Sequence, residues 1–185
     1  GNFVQCSLMD IPEGIYFDTI LSQGVSHHTD STSKSIFKLS QHLKKDGFFL
    51  FYVYKKKAIM REFSDDYIRN YLKNYSSKQA WELLKPLTKF GKQLGNLNIN
   101  LNIKDDIKVL GIPKGKINLQ RLIYYYFFKC YYKESLTLEQ MNLINFDWFA
   151  PKNCHRHTQS EIKLIHKNPS LKSLKLIKMN LVYLT

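Results

Sequence analysis

The chain has 185 residues, a length typical of one globular domain. Hydrophobic residues make up 44% of it and charged residues 23%, a balance that excludes wholesale disorder. The formal net charge is +13, yet only four of the 28 basic residues are Arg, and the first 33 residues contain neither Lys nor Arg. This pattern argues against a specific nucleic-acid partner, because proteins that read bases rely on Arg.

The sequence shows no segment typical of a membrane protein. No apolar run reaches the roughly 18 residues that a membrane helix needs, since the densest stretch, residues 122–132, is interrupted by Lys129. No positively charged region leads into an apolar stretch, as it would in a secretory signal. We therefore expect a cytoplasmic protein with no membrane partner.

The three cysteines are too few and too far apart for a disulfide framework. Cys154 has His155 and His157 close by, which is compatible with metal binding. A structural zinc site needs about four ligands, usually as two spaced pairs, and no second pair is visible in the sequence. We therefore expect no metal site.

The first third of the chain is predicted to alternate between strands and a helix. Strands are expected at residues 3–6, 17–21 and 48–54, and a helix at 31–45 that ends at Asp46-Gly47. The run 48–54 is continuously apolar, which is typical of a strand buried on both faces of a parallel sheet. The predicted fold class is α/β.

The rest of the chain is predicted to be mainly helical. Helices are expected over 64–73, from Ser76-Ser77 with a kink or break at Pro86, from Asn118, over 137–142 and from Thr158. Residues 95–117 are predicted to be an extended connection and 145–151 a loop, with strand-like segments at 174–177 and 181–184.

Three segments near the N-terminus follow one another in the order and spacing of a known family. They read FVQCSLMDIP at residues 3–12, FDTILSQGVSHHT at 17–29 and LKKDGFF at 43–49. These resemble the third strand with its loop, the fourth strand with its loop, and the turn into the fifth strand of class I S-adenosylmethionine-dependent methyltransferases. The segments FDWFAP at 146–151 and HRHT at 155–158, with Glu161, resemble the C-terminal part of a bacterial subgroup of that family.

The resemblance implies a partial Rossmann-like methyltransferase sheet, from the third strand onward, with a helical insertion. It divides the chain into a core at 1–56, a helical insertion or substrate lid at 57–150, and a C-terminal helix and strands returning to the sheet at 151–185. The family's glycine-rich turn and acidic residue, which follow its first two strands, have no counterpart here, so a truncated form is expected. Unpaired sheet edges predict a homodimer through strand pairing.

The resemblance also implies S-adenosylmethionine as the cofactor and a small molecule or glycan as the methyl acceptor. Ser7 and Leu8 occupy the positions that hold the adenine in the family. Ser22, Gln23 and Gly24 occupy the positions that face the methionine part of the cofactor and the substrate. They follow the fourth strand, at the carboxyl edge where ligands of open α/β sheets bind.

The catalytic candidates are two histidines and an aspartate. His28, and less so His27, could take a proton from a hydroxyl or amine nucleophile near neutral pH, or could only shape the pocket. Asp147 could act as a base or polar anchor on the substrate side. His42, on the predicted helix, is expected to be solvated.

Two other functions remain open at the level of the sequence. The chain could be a catalytically inactive remnant or partner-binding subunit that needs another chain to complete its sheet. It could also be a basic RNA-binding module, which would bind with a steep salt dependence and without a cofactor. The scarcity of Arg and the absence of a known RNA-binding signature count against the latter.

Overall fold

The computed structural model describes residues 1–166, which form six strands and six α-helices. In chain order these are β1 (Phe17–Gln23), α1 (Thr32–Ser40), β2 (Leu43–Tyr52), β3 (Tyr54–Lys55), α2 (Ile59–Leu72), α3 (Ser77–Leu97), β4 (Asn100–Ile103), β5 (Gly115–Asn118), α4 (Leu119–Tyr126), α5 (Leu138–Phe149), β6 (Arg156–His157) and α6 (Gln159–His166). The described chain divides into two compact units, the first made of residues 1–55 and 153–166, the second of residues 56–152.

The first unit is built on the parallel pair β1–β2. Thr19 lies opposite Phe48 and Gln23 opposite Tyr52, so both strands end at the same edge. Helix α1 connects the two strands, and its buried Ile36 packs against aromatic side chains of β2. A strand, a helix and a parallel strand in this order confirm the α/β class.

Two predictions about the strands of this unit are wrong. Residues 3–6 do not form a strand, because no other strand of the described chain pairs with them, and all four are exposed. Strand β2 is not buried on both faces: Phe48 is 63% exposed, whereas the alternate residues Phe49 and Phe51 pack towards α1. Only one face of the pair is covered by α1, so burial alternates along the strand.

The helix after β1 ends earlier than predicted, at Ser40 rather than at Asp46-Gly47. The Ser40 hydroxyl donates to the carbonyl of Phe37, and β2 begins three residues later. Gly47 instead belongs to a bulge in β2, where a Cβ atom would lie 2.9 Å from the carbonyl oxygen of Asp18. The Asp46-Gly47 pair therefore marks an irregular strand and not a helix cap.

The C-terminal part of the first unit pairs with its N-terminal part. Strand β6 is parallel to β3, with His157 opposite Lys55. Helix α6 begins after Thr158, as predicted, because the Thr158 side chain accepts from the amide of Glu161 while the Glu161 carboxylate accepts from the amide of Thr158. The predicted strands at 174–177 and 181–184 lie outside the described residues.

The second unit is mainly helical, with one antiparallel hairpin, β4–β5. Helices α3 and α5 pack together around a buried polar group. The Thr88 hydroxyl donates to Oδ1 of Asn142, 2.7 Å away, and accepts from Nδ2 of Asn145 at 2.9 Å. All three residues are fully buried, and their hydrogen bonds fix how the two helices meet.

Several boundaries in the second unit differ from the predictions. Helix α2 begins at Ile59 rather than at Ser64, and α3 continues through Pro86 without a break. The predicted extended connection contains the β4–β5 hairpin. Helix α5 continues to Phe149, so Asp147 lies on a helix and not in a loop.

The predicted division of the chain by function stays a prediction. It assigns a core to residues 1–56, a helical insertion or lid to 57–150, and a helix and returning strands to 151–185. The two units are defined by their internal packing, which does not report what each part does. Across residues 1–166, we find no helix long and apolar enough to span a bilayer.

Candidate functional site

The polar residues that follow β1 lie at the carboxyl end of the parallel pair. Gly24 comes directly after β1, and its amide donates to the carbonyl of Tyr52, the last residue of β2. Ser22 is buried, and its hydroxyl lies 3.2 Å from that of Ser26. Gly24 has a φ of +76° and no atom within 4 Å of the place a Cβ would take, so the backbone faces open space here.

A short 3-10 turn, Ser26–His28, then places two histidines beside the end of β2. The ring of His27 is fully buried and lies 3.8 Å from the ring of Tyr54 and 4.2 Å from that of His28, centroid to centroid. Neither ring nitrogen of His27 has a hydrogen-bond partner among residues 1–166.

Burial holds His27 in its neutral form. The pKa of His27 is lowered from 6.5 to about 3, and burial is the largest cause. The nearby His28 also lowers this pKa, whereas the backbone of Tyr52 raises it. More distant contributions from His157 and His155 also lower this pKa. His27 is therefore uncharged at neutral pH.

His28 is half-buried and is oriented by one strong hydrogen bond. Its Nδ1 lies 2.7 Å from the carbonyl oxygen of Asn153. Because a carbonyl oxygen can only accept, Nδ1 carries the hydrogen and donates it. The neutral ring of His28 then keeps its lone pair on Nε2, the atom that can accept a proton.

Two more histidines, from the C-terminal part of the unit, contact the segment that contains His27 and His28. The backbone amide of His155 donates to the carbonyl of His27, and Nε2 of the His155 ring lies 3.0 Å from the carbonyl oxygen of Thr29. Nε2 of His157 lies 2.9 Å from the hydroxyl of Thr32. These contacts hold the loop between β1 and α1 in place. The four histidines lie around this loop, and we call His27, His28, His155 and His157 the histidine cluster.

The remaining candidates are distributed differently. Ser7 and Leu8 lie at a 3-10 turn that packs near α1, and the Ser7 hydroxyl accepts from the amide of Met9. Gln23 ends β1 with an exposed side chain, next to Gly24. Asp147 belongs to the second unit, where it lies exposed on α5.

His42 was expected to be solvated, and this expectation is wrong. Its side chain is buried, and Nδ1 lies 2.9 Å from the carbonyl oxygen of Ile15. The amide of Phe17 donates to the backbone carbonyl of His42, so this residue joins the end of α1 to the beginning of β1.

The sequence did not single out the aromatic wall of the histidine cluster. The apolar run 48–54 predicts only that Tyr54 lies on a strand, yet its ring contacts both His27 and His28. The signal was present as the pair of tyrosines that ends the run 48–54. In the part of the chain that the structure describes, no three His, Cys, Asp or Glu side chains are arranged to hold a metal ion.

A second buried polar cluster, in the other unit, was also missed. Asp65 is fully buried and accepts hydrogen bonds from Nε of Arg61, the amide of Lys129 and Nε1 of Trp148, at 2.7, 3.0 and 2.8 Å. Burial, and then the charge of Arg61, lower the pKa of Lys129 to about 7. The spacing of Arg61 and Asp65, four residues apart on one helix, was the available signal.

Searches with this chain found no matching protein-family model, no matching curated protein and no matching solved structure.

Proposed function

We propose that this chain belongs to an S-adenosylmethionine-dependent methyltransferase with a Rossmann-like sheet, which methylates a small molecule or a glycan. The observation that carries the proposal is His28, held by the carbonyl of Asn153 at the carboxyl end of β1 with its Nε2 left to accept a proton. This is the edge of a parallel α/β sheet where ligands bind. The resemblance of residues 3–54 to the family supplies the reaction.

The residues at this edge fit one side of the cofactor. Gly24 leaves open space beside the backbone, and the Gln23 amide is exposed next to it. These two residues would contact the methionine part, with Ser22 buried beneath them, while Ser7 and Leu8 would contact the adenine. When bound, S-adenosylmethionine supplies an electrophilic methyl group on a sulfonium.

The histidines would act on the acceptor. The bound cofactor would supply the methyl group, and the oxygen or nitrogen of the acceptor would receive it and give up a proton. Nε2 of His28 would accept that proton, so that the ring becomes an imidazolium, and would later release it to water. Because His27 stays uncharged, it does not repel that imidazolium.

The proposal is tested by calorimetric titration of the full chain with S-adenosylhomocysteine, the product of the reaction. We expect binding in the micromolar range and at least about tenfold weaker binding by Gly24→Val, because the new side chain fills the edge that the cofactor would occupy. Gly14→Val is the matched control, since Gly14 also has a positive φ, +82°, and open space around it. A folded chain that does not bind, or equal losses in both variants, would contradict the proposal.

A further inference from the structure

Helix α2 carries a row of exposed apolar side chains at every fourth position. The row continues past the end of the helix and consists of Ile59, Phe63, Tyr67, Tyr71 and Tyr75, between 37% and 70% exposed. Single exposed apolar residues are normal, but a contiguous row of five marks an interaction surface. We call these five residues the aromatic row.

The spacing of the aromatic row makes it a ridge of the kind that packs against another helix. Side chains four apart are separated by about 6 Å along the axis and turned by about 40°, so Phe63, Tyr67 and Tyr71 share one face. The rings of Tyr71 and Tyr75 lie 5.3 Å apart, and the hydroxyl of Tyr75 donates to that of Tyr71 at 3.1 Å. The ridge is therefore partly ordered before any partner binds.

The apolar surface continues beyond the helix. A shallow depression adjoins Tyr75, and its other lining residues come from the first two turns of α3: Lys78, Gln79, Glu82 and Leu83. Leu83 is itself exposed, so one apolar side chain of α3 lies close to the end of the aromatic row, among polar neighbours.

We propose that the aromatic row is the interface of a homodimer, in which the α2 helices of two copies cross about a two-fold axis that lies between Tyr67 and Tyr71 on the exposed side of the helix. An evenly spaced ridge matches the groove beside the same ridge on an antiparallel copy, the commonest way in which helices pack. This arrangement places Tyr67 of each copy opposite Tyr71 of the other, and Phe63 opposite Tyr75.

Charge favours a second copy over a polyanion at this surface. The exposed polar side chains along α2 include both Asp66 and Lys73, so the face is not uniformly basic. In the antiparallel arrangement, Asp66 of one copy lies near Lys73 of the other. A polyanion such as RNA would gain little from a face of mixed charge.

The exposed area is enough for a weak dimer. From the exposed fractions and the usual size of such side chains, the aromatic row exposes about 600 Å² per copy, so a dimer buries at most about 1,200 Å² in total. That is the lower end of the range for specific interfaces, so we expect micromolar dissociation. The net charge of +13 on each copy opposes association, and added salt should therefore strengthen the dimer.

The test is sedimentation equilibrium of the full chain over a range of micromolar concentrations, at low and high salt. We expect dimers that Tyr67→Glu and Phe63→Glu each weaken by about tenfold or more. Leu143→Glu, on the exposed side of α5, is the matched control and should change nothing. Both test positions are exposed and Glu favours helix, so the variants should fold, which circular dichroism checks.

The same experiment separates the aromatic row from the sheet. Leu21→Glu alters an exposed apolar position on β1, the strand whose unpaired edge was expected to mediate dimerisation. A chain that stays monomeric, or a dimer lost in Leu21→Glu but retained in Tyr67→Glu, would overturn the proposal. Association that weakens as salt rises would also overturn it, because it would indicate an electrostatic contact.

Discussion

His27 shows how burial sets the chemistry of a single residue. Its imidazole is enclosed by the rings of Tyr54 and His28, and the backbone of Tyr52, which favours the charged form, does not offset the effect of burial. Protonating it would place an unpaired positive charge in the interior, which is strongly unfavourable. His27 therefore stays neutral in the folded chain, and its pKa returns to about 6.5 on unfolding.

This difference predicts that acid destabilises the fold through His27. Its pKa is 6.5 when unfolded and about 3 when folded, so the unfolded chain binds the extra proton between those values. Above about pH 6.5 His27 is neutral in both states and does not change the free energy of unfolding with pH. As the pH falls from 6.5 towards 3, the free energy of unfolding decreases by about 1.4 kcal/mol per pH unit. Urea unfolding near pH 7 and near pH 5 measures the loss.

His27→Gln provides the control for this prediction, because glutamine does not titrate. We expect the free energy of unfolding of the variant to decrease less between pH 7 and pH 5, because the variant lacks the proton that His27 binds only in the unfolded chain. Identical slopes for the variant and the original chain would mean that His27 does not titrate differently in the two states.

The sequence identified some residues of the candidate site and not the contacts that orient them, for a physical reason. His27, His28 and Gly24 are candidates because residues 17–29 resemble the fourth strand and the following loop of the methyltransferase family. The carbonyl that orients His28 belongs to Asn153, 125 residues further along the chain, and no local pattern reports such a contact. His42 was misjudged because helical spacing alone does not show that Ile15 covers that end of α1.

At the scale of elements, the second unit is held together by a buried charged residue. Asp65 on α2 receives hydrogen bonds from Lys129, which follows α4, and from Trp148 on α5. Arg61 adds an ion pair and also donates to the carbonyl of Tyr124 on α4. One carboxylate thus connects three helices, which is why it tolerates full burial.

Removing this carboxylate should destabilise the second unit strongly. Asp65→Ala leaves Arg61 buried without its ion-pair partner and leaves the amide of Lys129 without its acceptor. We expect a loss of about 3–5 kcal/mol in the free energy of unfolding, measured by urea denaturation. Asp66→Ala, at the neighbouring exposed position, should cost less than about 1 kcal/mol. Similar losses in the two variants would refute the role given to Asp65.

Helix beginnings that carry a capping side chain were predicted correctly, whereas the beginning of α2, which follows Ala58 without a side-chain cap, was not. Ser76, Asn118 and Thr158 each cap the helix that follows, as their side chains indicate. The early end of α1 and the long α5 depend instead on packing. Gly47 is needed for a close approach to Asp18, and buried Trp148 and Phe149 extend α5 into the interior.

At the scale of the whole molecule, the histidine cluster unites two distant parts of one unit. His155 and His157 lie in a segment that resembles the C-terminal part of the methyltransferase family, and His27 and His28 lie in one that resembles its fourth strand. Strand β6 beside β3 brings them together. We propose that His28 of this cluster accepts a proton next to a bound cofactor.

The most direct test is a long-range proton–nitrogen NMR spectrum of the histidine rings of the full chain, recorded as S-adenosylhomocysteine is added. The account predicts that His28 carries its hydrogen on Nδ1, that His27 stays neutral well below its ordinary pKa of 6.5, and that the ligand shifts His28 but not His42. A His27 that titrates near 6.5, or histidine signals that do not respond to the ligand, would contradict it.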